Sequence, residues 1–137
     1  MIYTITKTWA FHSAHRLTGA YQGKCANLHG HTWQISVSLS APELDARAMV
    51  YDFNEMKPLG EWIEDVLDHA VILSEQDPLL GVFKKNNLKI CTVPENPTSE
   101  TLCRYVRVKA VELFEHNGVR VSEVAVKESE FSRAVLG

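Results

Sequence analysis

Cysteine is scarce in this chain: three in 137 residues, at positions 25, 91 and 103, with no Cys-x-x-Cys spacing. An odd count at wide intervals makes no disulfide framework, so a reducing compartment is expected. Long apolar runs are missing as well. No stretch approaches the ~18 consecutive apolar residues of a membrane helix, and the opening MIYTITKTWA lacks the apolar core of a signal peptide. A cytoplasmic protein with no membrane partner is therefore expected. There is no excess of positive charge: 14 Lys and Arg against 17 Asp and Glu give a net charge of −3. That argues against nucleic acid as the main partner, because neutralising phosphates needs a basic face. Repeats, low-complexity tracts and linkers are absent too. Residues 1–137 are expected to form a single domain, long enough to bury a core without disulfide or metal.

What is present is a clear binary pattern. In IYTITKTWAF, Tyr3, Ile5, Trp9 and Phe11 share one parity and Thr4, Thr6 and Thr8 the other. In WQISVSLSA, Trp33, Ile35, Val37 and Leu39 alternate with Gln34, Ser36, Ser38 and Ser40. Both read as half-buried strands. Met56, Leu59, Ile63, Val66 and Leu67 predict a helix over about 54–68, with Asp52 or Asn54 as its cap. Leu102, Val106, Ala110, Leu113 and Phe114 predict another over about 98–117, capped by Thr98 or Ser99 and closed at Gly118. VSEVAVKE reads as a strand, with a final short strand after it. Residues 74–97 read as an irregular excursion holding one short strand at LKICTV. The expected class is α+β, an antiparallel sheet with two helices on one face.

The stretch CANLHGHTW, 25–33, gathers one of the three cysteines and two of the six histidines. Residues two apart on a strand point the same way, so His29 and His31 share the parity of Trp33. His15 lies past the first strand, with the parity of Trp9 and Phe11, and converges on the same point if the two strands pair antiparallel. Three converging imidazoles describe an open Zn²⁺ site. His12 is a competing ligand, on the opposite parity. Cys25 sits in a loop beside Lys24, a setting that favours a thiolate. Asp68 precedes His69; the two meet only if the helix ends there, because adjacent helical residues do not face each other. Glu128 shares the parity of Val124 and Val126. Pointing inward, it suits a flat ligand with two adjacent N–H groups.

Taken together, FHSAHRL (11–17), CANLHGHTW (25–33), YDFNEMK (51–57), LDH (67–69), ENPTSETL (95–102) and VKES (126–129) resemble the 6-pyruvoyl- and 6-carboxy-tetrahydropterin synthase family. The resemblance implies a tunnelling fold: a ββααββ subunit whose sheets join into a barrel on oligomerisation, two trimers stacking into a homohexamer. It implies zinc held by His15, His29 and His31. It implies Cys25 as catalytic cysteine, Asp68 and His69 as a pair meeting that cysteine across a subunit interface, and Glu128 as pterin anchor. Thr98, Ser99 and Glu100 are implied pocket residues. The implied substrate is 7,8-dihydroneopterin triphosphate. The short Cys-x-x-x-His-Gly-His spacing resembles the carboxy branch, which releases acetaldehyde and triphosphate and feeds 7-deazaguanine (queuosine precursor) synthesis; the alternative is the pyruvoyl branch. A zinc hydrolase, or a pterin-binding assembly protein without catalysis, are the other readings. Between LDH and NPTSE the chain is longer than in many members. Arg16, Lys24, Lys84 and Lys85 are the candidate triphosphate contacts.

Overall fold

The computed structural model describes residues 1–137. Two long strands organise it. β1 (Tyr3–His15) and β2 (His29–Ala41) pair antiparallel along their whole length, from Tyr3 opposite Ala41 to His15 opposite His29. β5 (Arg120–Ser129) pairs antiparallel with β2, and β6 (Ser132–Leu136) with β5. The alternation sorts the side chains as expected. Phe11, Trp33, Ile35, Val37, Leu39, Val124 and Val126 are buried on one face. On the other, the hydroxyls of Thr4, Thr6 and Thr8 bond to those of Ser40, Ser38 and Ser36, each at 2.7 Å. These cross-strand pairs satisfy the polar face internally.

Helices cover the apolar face. The segment predicted over 54–68 forms as three joined turns: a 3₁₀ turn (Phe53–Met56), α1 (Lys57–Trp62) and a wider π turn (Ile63–Leu67). The Asp52 side chain accepts from Asn54 N–H at its start, and Pro58 falls within the first turn of α1, where a missing N–H costs nothing. The C-terminal helix α3 spans Ser99–Phe114, capped by Thr98, whose hydroxyl accepts from Thr101 N–H. Asn117 and Gly118, both at positive φ, turn the chain out of it. Leu59, Ile63 and Leu67 from the first segment join Leu102, Val106, Ala110 and Phe114 of α3 in one 24-residue core with the sheet. No helix is long and apolar enough to cross a membrane.

The α+β class and the ββααββ frame hold, with one addition. Between the two main helices the chain inserts β3 (Val71–Ser74), α2 (Leu80–Lys85) and β4 (Ile90–Val93). β3 lies parallel to β1 and β4 parallel to β3, giving the order β4-β3-β1-β2-β5-β6. The sheet is therefore mixed rather than wholly antiparallel, and residues 74–97 are ordered rather than irregular. Four-residue strands are too short to display a period of two, which is why VILS carried no signal. A parallel pair needs a crossover, and α2 supplies it. In a single chain the outer edges of β4 and β6 are unpaired within the sheet.

Candidate metal centre and catalytic cavity

His15 is the last residue of β1, not beyond it, and faces His29 across the ladder; His31 faces Ser13. Ring centroids lie 4.7 Å apart for His15–His29, 5.1 Å for His15–His31 and 4.9 Å for His29–His31. One ligand nitrogen from each lies within 4.8 Å of the others. Trp33 forms the floor, edge-on to His15 at 4.8 Å and His31 at 5.3 Å. It stacks on Phe11 and donates from Nε1 to the Ser13 carbonyl. The hydrophobic core thus runs directly into the site and fixes the strand ends that carry the imidazoles.

Hydrogen bonds set the tautomers. His15 Nδ1 lies 2.7 Å from the Pro97 carbonyl, and His29 Nδ1 lies 2.7 Å from the Asn27 carbonyl. A carbonyl only accepts, so each Nδ1 carries the proton and each Nε2 offers a lone pair. Both Nε2 atoms are buried without a protein partner. Unpaired buried acceptors are costly unless an electropositive group meets them. Three imidazoles, two of them oriented by backbone carbonyls, fit a metal ion. Burial pushes the His15 pKa down to about 4, opposed by the Pro97 bond and reinforced by His29 and His31. Burial also lowers that of His31, against the pull of Glu128. A neutral imidazole is the form that binds metal.

Glu128 arrives from β5. Its Oε2 lies 4.0 Å from Nε2 of both His15 and His31. The β5–β6 register shifts between Lys127 and Ser129, a bulge of the kind that re-aims a side chain at the end of a strand. Cys25 sits in a 3₁₀ turn (Lys24–Ala26) just before β2 and is a free thiol. A cavity of about 200 Å³ is lined by His15, Cys25, Thr98, Ser99, Glu100 and Glu128, among others. Eight of the ten predicted residues thus belong to one region, six of them lining this cavity and His29 and His31 completing the metal triad.

Asp68 and His69 are the exception within one chain. The helical segment ends at Leu67, Asp68 is extended, and His69 adopts φ 58°, a left-handed conformation uncommon outside glycine, though histidine is among the residues that enter it most readily. That break lets the neighbours meet: His69 Nδ1 lies 2.8 Å from Asp68 Oδ2. β1 clamps the pair from the side, since His12 N–H donates to Asp68 Oδ1 and His69 N–H to the His12 carbonyl. The His12 amide, with smaller help from His69, holds the Asp68 carboxyl below the usual carboxylate range. His12 is exposed, away from the triad, so it is no competing ligand. His69 lines an open depression with His12 and His31, not the cavity of Cys25.

Sequence reasoning missed several supporting groups. The Pro97 and Asn27 carbonyls carry no side-chain signal. Asn96 ties the loop after β1 to the NPTSE segment through two bonds with Thr18 backbone, at 2.8 and 2.9 Å. Arg133 also lines the cavity. Arg16, a triphosphate candidate, is instead committed to Asp77 through bonds of 2.9 and 2.8 Å.

Residues 4–137 match the sequence profile of the family described as 6-pyruvoyl tetrahydropterin synthase. A 6-carboxy-5,6,7,8-tetrahydropterin synthase from Haemophilus influenzae is 31% identical over 140 residues, covering 95% of this chain and 99% of that protein. The solved structure of an uncharacterized protein from Wolinella succinogenes is similar at a TM-score of 0.87 and 26% identity, covering 99% and 98% of the two chains. The Caenorhabditis elegans 6-pyruvoyl tetrahydropterin synthase follows at a TM-score of 0.74 and 25% identity, covering 99% and 95%. Matched by that profile from residue 4 to residue 137, this chain belongs to the 6-pyruvoyl tetrahydropterin synthase family.

Proposed function

We propose that the protein is a zinc-dependent 6-carboxy-tetrahydropterin synthase. It would convert 7,8-dihydroneopterin triphosphate and one water to 6-carboxy-5,6,7,8-tetrahydropterin, acetaldehyde and triphosphate. The observation that carries this is one cluster: a histidine triad with two orphaned, carbonyl-oriented nitrogens, whose His15 lines a cavity shared with a free thiol and an acidic anchor. The carboxy branch is favoured by the Haemophilus influenzae relative and by the short interval from Cys25 to His29.

His15, His29 and His31 would hold the zinc. Bound there, it supplies Lewis-acid polarisation of the substrate's side-chain hydroxyls and acidifies neighbouring C–H and O–H bonds. Glu128 accepts two N–H bonds from the pterin edge and so fixes which carbon faces Cys25. The Cys25 thiolate removes and returns protons at the side chain. His69, oriented by Asp68, relays them. Because that pair lies outside the Cys25 cavity of its own chain, the complete site needs His69 of a second subunit. The unpaired edges of β4 and β6 suit closure into a barrel with further copies, in a homohexamer working in the cytoplasm.

The test is product analysis by mass spectrometry, with zinc-loaded protein and 7,8-dihydroneopterin triphosphate. A 6-carboxy product with acetaldehyde in equal amount supports the proposal. A pyruvoyl product moves the protein to the other branch and leaves the site roles standing. No pterin product at all refutes both.

A further inference from the structure

Tyr21 has no part in the site described so far. It lies in the loop that leaves β1, four residues before Cys25, and its phenol folds back over that loop. The Cys25 backbone N–H donates to the Tyr21 hydroxyl at 3.3 Å. Gly23 makes the approach possible. A Cβ at that position would stand 2.5 Å from the Tyr21 hydroxyl oxygen and 2.8 Å from the ring carbon bearing it. The backbone itself does not require glycine there, because φ 173° with ψ −175° is extended chain. Gly23 is thus a seat for the phenol.

The oxygen accepts from the amide, which leaves the phenol proton to donate. The Cys25 side chain springs from the same residue whose amide the phenol holds, and its pull on the phenol proton is the main reason the Tyr21 hydroxyl is held above the usual tyrosine range. The rest of the turn is gripped from the other side. Leu17 N–H donates to the Cys25 carbonyl at 2.9 Å, and Arg16 reaches the Ala26 carbonyl at 3.3 Å. Cys25 is therefore pinned at its amide and carbonyl, with the cavity before it.

We propose that Tyr21 is a positioning residue for Cys25: its hydroxyl anchors the Cys25 amide and donates to the thiolate when the sulfur is ionised. This rests on Cys25 being the reaction's proton-transfer group. A donor aimed at the charged form favours that form. The role is particular to this loop, because it needs the Tyr-x-Gly-x-Cys spacing read here at 21, 23 and 25.

The experiment compares wild type with Tyr21→Phe and Gly23→Ala, after circular dichroism has verified each fold. Two readouts are taken: steady-state turnover, and alkylation of Cys25 by iodoacetamide followed by mass across pH. The other two cysteines are 4% and 1% exposed, so alkylation reports on Cys25. Y21F should keep KM and lose about tenfold in kcat, the factor that one hydrogen bond to a charged group carries. Alkylation at neutral pH should slow to a similar degree and recover in alkali, where the thiol ionises unaided. G23A, which displaces the phenol, should behave alike, and the double variant should be no worse than either single one. Wild-type rates in Y21F, or slowing by the same factor at every pH, overturn the proposal; the latter is what a merely misplaced loop gives. If Cys25→Ala keeps its turnover, the proposed function fails instead, and the alkylation profiles then decide the Tyr21 contact alone.

Discussion

Free of metal, this protein should show a steep dependence of stability on acid, and His15 sets its size. The imidazole is 2% exposed and carries a pKa of about 4 in the folded chain against 6.5 for a free histidine. Unfolded chains therefore bind a proton that the native state refuses, between those two values. Stability is whole above about pH 6.5 and drains as pH falls toward 4. At ~1.4 kcal/mol per pH unit, the gap amounts to about 3 kcal/mol from this one residue. The lowered His31 adds in the same direction. Asp45, Asp68 and Asp77, also lowered, lose their contributions only below the ordinary carboxylate range, so they leave this window to the histidines. Urea unfolding of chelator-treated protein, at fixed protomer concentration from about pH 7.5 to about pH 4.5, measures the slope. His15→Asn retains a donor for the Pro97 carbonyl but cannot titrate. It should be less stable at neutral pH and have a visibly flatter profile. An unchanged slope in H15N would refute the assignment, as would a flat profile in wild type.

Other outcomes follow from the same geometry. Chelation should leave the domain folded, because its 24-residue core has no need of an ion; cooperative loss of secondary structure on adding chelator would contradict this. His29→Ala should abolish stoichiometric metal binding, read by elemental analysis, while the far-UV spectrum is preserved. Arg16→Ala leaves the buried Asp77 carboxylate without its charged partner, with only the Leu79 N–H still donating to it, and should cost about 3 kcal/mol in chemical denaturation. Cys25→Ala and His69→Ala should each be inactive, but dissociated and reassembled together they should recover about one quarter of wild-type activity if sites are shared between subunits. Mixing that restores nothing would place the whole site in one chain.

What the sequence disclosed, and what it withheld, divides along one physical line. Alternation is local, so it told which residues share a face. Parity put His29 and His31 on one face and offered His15 as a third on the condition that the two strands pair antiparallel, and the β1–β2 register meets that condition. Glu128 followed from the same rule. Parity is silent on which strands are neighbours. VILS and ICTV are four residues each, and the parallel pairing of VILS with β1, and of ICTV with VILS in turn, depends on contacts that no local pattern reveals. Backbone carbonyls are equally silent, and those of Pro97 and Asn27 turn two histidines into lone-pair donors. The Asp68–His69 pair shows the limit most clearly. Its motif is legible, yet a helix would hold the two apart. Only the wide turn over Ile63–Leu67, the extended Asp68 and the left-handed His69 let them bond. The same break hands the pair to β1 at His12, which has the opposite parity to His15. With the register observed, His69 lines an open depression with His12 and His31, apart from the cavity of its own Cys25, which is why the proposed function draws on a second subunit.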